Sequence, residues 1–512
     1  MCVLRVLFRV DASLLIGCGH VYRCLTLAAK LTEYGCQTLF VCTAHAGNLI
    51  DFIAAKGYQV HVLPMVNYTQ TPDFKLGRSW QEDAQLTAQI ISTLKIDWLI
   101  VDHYQLDGRW HKTLKSAAYR LMVIDDLANR FYDSDRLLDQ TYGRIVQDYS
   151  PLISGHTKLL LGTDFSLLRD EFIAARVQAL SRRIKHVRIQ SILLSLGGTD
   201  NDNITERVIR LLAATSLADT TILHVVAGPN NPHLASLQLA TQKSRFQCRL
   251  YTSVTDMAEL MVSSDLAIGA AGCSAWERCV LYLPGLNITL ADNQVSIAAR
   301  LAENGAAISL GEPNTLTAAC LSNAIGVCEA NYLAMAQKAG ELVDGIGASR
   351  VALSLFSVCD AKGLELYLKR VSWQDCARLF DWQQAAATRR YALNPSVPSW
   401  EEHCEWLRKM VMDPRSFLFM IRRQNNDVGM VRIDPMTESG WYQISIVTGS
   451  GYYRQGVAKA ALELIRRIFR TITISATVLP ENLASQSLFN SMGYVQVDNT
   501  QWLQYPSEAT NE

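Results

Sequence analysis

The first residues whose types and spacing could do chemistry are Gly17-Cys-Gly19-His20, with Arg23 one helical turn further on. Paired glycines let a backbone pass close to a ligand, and the amides that open a helix, at the positive end of its dipole, suit a phosphate group. An imidazole on that first turn, if neutral near pH 7, can take a proton from water. The same residues also suit a plain tight turn in which His20 caps or packs, because a lone Gly-x-Gly-His says less than a full dinucleotide fingerprint.

The elements that must position this turn flank it. Val3 to Val10 is an apolar run that predicts a buried strand, and Cys24 to Leu31 carries apolar residues at helical spacing. Further strands are expected at Gln37 to Thr43, Tyr58 to Leu63, Trp98 to Tyr104 and Arg120 to Leu127, with helices over Ala46 to Lys56 and Ser79 to Leu94. Apolar strands alternating with helices indicate a parallel sheet covered on both faces, whose ligands gather at the carboxyl ends of the strands. Asp102, His103, Tyr104, Asp125 and Asp126 fall at such ends, where each also suits a cap or turn.

A second alternating unit begins at Gln190 and repeats the device, with Gly197-Gly198-Thr-Asp200 after an apolar strand. Strands are expected at Thr221 to Ala227, Phe246 to Tyr251, Asp265 to Gly269 and, last, Gly285 to Leu290. Between the last two, Gly269-Ala-Ala-Gly272-Cys-Ser-Ala-Trp-Glu277 opens a helix, and Asp292-Asn293-Gln294 opens another. Tandem units of this kind describe the two-lobed architecture common among enzymes that handle nucleotide sugars. The second lobe would hold the nucleotide and the first would present the catalytic group. Glu277 could accept hydrogen bonds from ribose hydroxyls or simply complement its helix dipole.

At 512 residues the chain exceeds one core, and a formal net charge of +0 provides no general attraction to nucleic acid or an acidic membrane. Its 49% apolar and 19% charged content indicates a folded globular protein. The 13 cysteines include no Cys-x-x-Cys pair and read as core residues of a reducing compartment. With no signal peptide recognised at Met1 to Val10 and no membrane-length apolar run, a soluble cytoplasmic protein is expected. No side-chain cluster has metal-ligand spacing, so no metal is expected.

Arg9-x-Asp11, Gly17-x-Gly19-His20-x-x-Arg23, Asp102-His-Tyr104, Asp125-Asp126, Leu168-Arg169-x-Glu171-Phe172, Gly197-Gly198-Thr199-Asp200 and Asn293-Gln294, in that order, resemble the UDP-2,4-diacetamido-2,4,6-trideoxy-β-L-altropyranose hydrolases of pseudaminic acid synthesis. The resemblance covers about residues 1–355. It implies a two-lobed fold of the GT-B glycosyltransferase type, residues 1–180 and 181–357, that cleaves UDP from its sugar without a metal. It implies His20 as the catalytic base and Asn293 as a substrate contact. Arg9, Asp11, Gly17, Gly19, Arg23, Tyr104, Gly198, Glu277 and Gln294 complete the expected substrate site. A basic residue before the second lobe also contacts ligand in that family, and Arg183 is the candidate from the run Arg182-Arg-Ile-Lys185.

Val358 to Leu364 reads as a linker, beyond which the pattern becomes mixed α/β. Thr448-Gly-Ser-Gly-Tyr-Tyr453-Arg-Gln-Gly-Val-Ala458 leads into a helix, a third turn suited to phosphate. Together with Asn482-Leu-Ala-Ser-Gln-Ser-Leu-Phe489-Asn-Ser-Met-Gly-Tyr494 it resembles the GCN5-related N-acetyltransferases (GNAT) over residues 365–505. The resemblance implies acetyl-CoA as co-substrate, with no other cofactor. It places the pyrophosphate at Arg454, Gln455, Gly456, Val457 and Ala458, and the pantetheine arm near Asn482. Two positions depart from the family: Tyr453 replaces the first Arg/Gln of the turn, and Phe489 stands where many members have a proton-donating tyrosine. In pseudaminic acid synthesis an acetyltransferase acts immediately before the hydrolase, so the fusion implies a bifunctional enzyme taking a UDP-amino sugar. A glycosyltransferase, a nucleotide-sugar sensor, or an acetyltransferase acting on another amine are the rival readings. Oligomeric state is left open.

Overall fold

The computed structural model describes all residues except 1–2, 66–74, 186–187, 198–199, 229–230, 253, 255, 413–415, 424–425, 439, 470 and 507–512. The chain folds into two compact units, Met1–Ala348 and Ser349–Glu512.

The first unit contains two parallel sheets. Strands β1 (Arg5–Val10), β2 (Gln37–Thr43), β3 (Gln59–Leu63), β4 (Trp98–Asp102), β5 (Arg120–Ile124), β6 (Arg136–Asp139) and β7 (Lys158–Leu161) form the first, in the order β3-β2-β1-β4-β5-β6-β7. Val6, Leu7 and Phe8 are fully enclosed, as are Leu99, Ile100 and Val101 of β4, because helices cover both faces. The helix Trp80–Thr93 starts where Ser79 and Glu82 cap each other reciprocally. Strand order reverses between β1 and β4, which opens a crevice at their carboxyl ends.

The second sheet contains β8 (Ser191–Ser195), β9 (Ile222–Val226), β10 (Gln247–Tyr251), β11 (Leu266–Ala270), β12 (Gly285–Ile288) and β13 (Ala307–Gly311), ordered β10-β9-β8-β11-β12-β13. Its reversal lies between β8 and β11. The strand order corrects two expectations. The last strand of this lobe is β13, not Gly285 to Leu290, and the first lobe has two strands, β6 and β7, beyond those the sequence pattern predicts. Both are four-residue runs next to charged residues, and β13 is built partly of Ala, Ser and Gly, so neither carries a strong apolar signal.

The second unit holds one mixed sheet of β14 (Val358–Cys359), β15 (Glu365–Arg370), β16 (Phe417–Arg423), β17 (Asn426–Pro435), β18 (Trp441–Thr448), β19 (Thr473–Thr477), β20 (Val495–Gln496) and β21 (Gln501–Gln504), ordered β14-β15-β16-β17-β18-β19-β21-β20. All pairs are antiparallel except β18 with β19, which pair through Ile444 and Ala476 and no further, although β18 runs on to Thr448. The expected linker is therefore part of this sheet: β14 pairs with β15. Arg350, in the helix Gly347–Leu355, also joins this unit by donating to the carbonyls of Arg370 and Val371 at 2.7 and 2.8 Å.

Candidate active sites

Beyond β1 the chain turns through Ser13–Gly17, where the Gly17 amide donates to the Ser13 carbonyl and Ser13 Oγ accepts from the Leu15 and Ile16 amides. Gly17 has φ of +83°, a conformation that favours glycine. The helix Gly19–Glu33 follows with no side-chain cap, so its first amides keep donor capacity. Apart from its chain neighbours and its own helix backbone, nothing lies within 4 Å of where a Gly19 Cβ would stand, which leaves the approach to the helix start open.

His20 and Arg23 come from this helix and meet Asp102 from the end of β4. His20 Nδ1 lies 2.6 Å from Asp102 Oδ1, and Arg23 donates to both oxygens of the same carboxylate at 2.6 Å. Burial works to raise the Asp102 pKa, but Arg23 and then His20 hold it well below the ordinary carboxylate range. An ionised Asp102 assigns the proton to His20 Nδ1 and leaves Nε2 as the lone-pair nitrogen. The Tyr104 ring meets the His20 ring edge-on with centroids 4.6 Å apart, and its hydroxyl donates to Asp126, which also accepts from Arg23 at 3.1 Å. Burial and the Asp126 charge push the Tyr104 pKa up, so the hydroxyl remains a donor. An imidazole held by Asp102 and Tyr104 and an uncapped helix start are thus placed together.

Arg9 and Asp11 lie beneath this layer and are fully buried. Arg9 donates to Asp11 at 2.7 Å and to Asp83 at 2.6 Å, while the Thr43 amide donates to Asp11 at 2.6 Å. His45 and His103 point Nε2 toward the other Asp11 oxygen from 3.6 and 3.5 Å. Arg9 and Asp11 accordingly brace the end of β1 from below, and the surface of the crevice belongs to the residues above them.

From the second lobe, the helix Cys273–Val280 starts at Gly272 without a side-chain cap. Gln140 joins the lobes by donating to Cys273 Sγ at 3.3 Å. Glu277 pairs with Arg169 at 3.6 Å, and Arg169 also contacts Glu171 at 3.1 Å. Burial raises the Glu277 pKa against the opposing pull of Arg169. Gln294 accepts from the Leu290 amide and stands beside Gly272, and half-buried Asn293 lies in the first turn of the helix Asp292–Asn304. Arg183 is not brought to the crevice: it is buried and donates to the carbonyls of Met261, Val262 and Ser264. Gly198 lies outside the described residues. Gln140 is not singled out by the sequence, whereas Asp102 and Asp126 stand out there only as strand-end residues within Asp102-His-Tyr104 and Asp125-Asp126, without an assigned role in the site. The signal available for Asp102 is its place in Asp102-His-Tyr104 at a strand end.

In the second unit, Arg454 and Gly456 have φ of +57° and +80° ahead of the uncapped helix Val457–Ile468. Left-handed backbone at a non-glycine residue costs about 1–2 kcal/mol and needs support from its surroundings. Val457 is buried and Ala458 half-buried, so the helix start offers backbone rather than side chains. Tyr453 is half-exposed on the rim. Asn482 caps the helix Leu483–Ser491 by accepting from the Ser485 amide at 3.1 Å. Phe489 packs edge-on against Tyr494 with centroids 4.9 Å apart and has no proton to give.

Residues 365–495 match the family model described as acetyltransferase (GNAT) domain. Over 96% of both chains the protein is 21% identical to an uncharacterised protein of Methanocaldococcus jannaschii. Over 303 residues, 59% of this chain and 97% of the relative, it is 27% identical to the UDP-2,4-diacetamido-2,4,6-trideoxy-beta-L-altropyranose hydrolase of Campylobacter jejuni. Among solved structures, MurG of Acinetobacter baumannii is similar in fold, with a TM-score of 0.50 at 15% identity over 68% of this chain and 98% of that one. The protein is therefore of the α/β class, with two Rossmann-like lobes of GT-B type followed by a GNAT domain. More particularly, it joins a region homologous to the Campylobacter hydrolase to a C-terminal acetyltransferase domain.

Proposed function

We propose that this chain is a bifunctional nucleotide-sugar enzyme of pseudaminic acid synthesis. Its C-terminal domain acetylates the 4-amino group of a UDP-amino sugar with acetyl-CoA. Its N-terminal unit then hydrolyses the resulting UDP-2,4-diacetamido-2,4,6-trideoxy-β-L-altropyranose. The observation that carries the hydrolytic reading is the His20–Asp102 pair at 2.6 Å beside an uncapped helix start.

In the hydrolytic step, His20 Nε2 takes a proton from water as its oxygen attacks the anomeric carbon from the face opposite UDP. The new C–O bond forms with inversion while the bond to UDP breaks, and the pair of electrons leaves on the diphosphate. Asp102 stabilises the imidazolium that results, and Tyr104 keeps the ring in place. Charge on the leaving group is met by the amides at the starts of the helices Gly19–Glu33 and Cys273–Val280. Arg23 is taken up by the Asp102 and Asp126 carboxylates, so amides rather than a free cation serve the anion. None of these roles calls for a metal, and activity in a chelator checks that expectation.

In the acetyl transfer, the amine attacks the thioester carbon, the C–S bond breaks and the amine proton passes to solvent. With Phe489 at the donor position, CoA departs as a thiolate that water protonates. Joining consecutive steps in one chain raises the local concentration of the intermediate.

The test is incubation of the full-length protein with the UDP-4-amino sugar, with and without acetyl-CoA, following free CoA and UDP separately. CoA release followed by acetyl-CoA-dependent UDP release is expected. UDP release from pre-acetylated substrate alone would confine the proposal to hydrolysis, and UDP release only in the presence of a sugar acceptor would make the unit a glycosyltransferase.

A further inference from the structure

The segment between the helix Gly347–Leu355 and β15 makes a set of contacts that a simple tether does not need. After β14, Asp360 closes a tight turn. Its Oδ1 accepts from the Lys362 and Leu364 amides at 2.8 and 2.9 Å, and Gly363 has φ of +74°. The other carboxylate oxygen accepts from Arg423 at 2.9 Å, and the same Arg423 nitrogen donates to Gln455 Oε1 at 2.8 Å. The Ala361 amide donates to the Gln455 carbonyl at 3.2 Å. Gln455 Nε2 in turn donates to the Gly451 carbonyl at 2.9 Å, and the Arg423 guanidinium lies 4.8 Å from the centre of the Tyr452 ring. The fit at Gly456 is close: a Cβ there would stand 2.8 Å from the Ala361 nitrogen.

These contacts converge on the loop that contains left-handed Arg454 and Gly456. Such a loop keeps its shape only where surrounding contacts over-determine it. The turn supplies them from residues that precede the family match, which begins at residue 365. Asp360 is 7% exposed, and although burial opposes its charge, the Arg423 hydrogen bond and the turn amides hold its pKa below the ordinary range.

We propose that Asp360 and Arg423 are positioning residues for acetyl-CoA: through Gln455 and Ala361 they hold the Arg454–Gly456 backbone in the shape that aims the first amides of the helix Val457–Ile468 at the pyrophosphate. The proposal rests on the acetyl-CoA reading of this site. It separates the two halves of the ligand. The brace acts on the pyrophosphate loop and leaves the pantetheine arm, expected near Asn482, unaffected.

The experiment uses the full-length protein and its Asp360→Asn and Arg423→Met variants. Acetyl-CoA affinity is measured by calorimetry, and acetylpantetheine, which lacks the pyrophosphate, by ligand-observed NMR. Each variant should weaken acetyl-CoA binding about tenfold, the size of one charge-assisted hydrogen bond, with acetylpantetheine unchanged within about twofold. The double variant should be no weaker than about the worse single one, because both act through one contact chain. Unchanged acetyl-CoA affinity in both variants would overturn the proposal. Parallel loss of both ligands would do so as well, since it would mark a general loss of structure. If the unaltered protein bound no acetyl-CoA, the reading of the site itself would fall, and the role of the brace with it.

Discussion

Replacing Asp102 with Asn tests the hydrolytic site at the contact that defines it. The amide is nearly isosteric but uncharged. Its NH2 group can donate to His20 Nδ1, which would move the ring proton to Nε2 and remove the base. A full charge about 4 Å from the forming imidazolium is worth about 4 kcal/mol at an effective dielectric of about 20. Arg23 shares the same carboxylate through two hydrogen bonds and offsets part of that. A net loss of about 2–4 kcal/mol of transition-state stabilisation follows, or roughly 30- to 1000-fold in kcat. UDP affinity should change little, because Asp102 is fully buried behind the two side chains it holds. The assay is UDP release from the diacetamido sugar, with UDP binding followed by calorimetry and the imidazole tautomer by ¹⁵N NMR. If Asp102→Asn kept more than about a third of kcat while His20→Ala was inactive, the role of Asp102 in setting the tautomer would be refuted.

Three further outcomes are expected. Burial lowers His103 to about 4 and His111 to about 3, from 6.5 for the free side chain. The unfolded chain therefore takes up protons below pH 6.5 that the folded chain refuses, so stability is complete above that pH and declines toward pH 4. His111→Phe, which replaces a buried ring whose nitrogens have no hydrogen-bond partner among the described residues, should remove roughly half of that decline in urea unfolding at about pH 7 and about pH 4.5. Gly456→Ala should weaken acetyl-CoA binding at least about tenfold by calorimetry, because its Cβ would press on the Ala361 backbone at a φ that costs an L-residue about 1–2 kcal/mol. Phe489→Tyr should raise the rate of CoA release several-fold with acetyl-CoA affinity unchanged; an unchanged rate in stopped-flow assays would mean that thiolate protonation does not limit turnover.

What could be read from sequence follows the range of the interactions. The turn at Gly17–His20 and the helix after it are local, set by glycine and by apolar spacing, and they stand where the pattern puts them. The partner of His20 is 82 residues away and depends on β1 lying beside β4, a fact of sheet order that no local pattern encodes. Arg9 and Asp11 show the converse. Charged residues at the end of an apolar strand suggest a ligand, yet Asp83, 74 residues beyond Arg9, encloses the pair instead. Arg183 illustrates the same difficulty: a basic run near a lobe boundary does not reveal that one member turns inward to three carbonyls. The segment Val358 to Leu364 reads as a linker because two-residue β14 is too short for any periodicity, and only its pairing with β15 shows it to be structural.

That pairing bears on how the chain can be divided. β15 has β16 on one side and β14 on the other. A fragment begun at residue 365, where the family match starts, would remove the pairing that β14 gives Glu365 and Leu366 and lengthen the open edge of β15, a template for pairing with other chains. It would also lose Arg350, which donates to the carbonyls of Arg370 and Val371 at the far end of that strand. β14 thus guards the start of that edge, and a fragment cut before the helix Gly347–Leu355 keeps both this pairing and the Arg350 contacts.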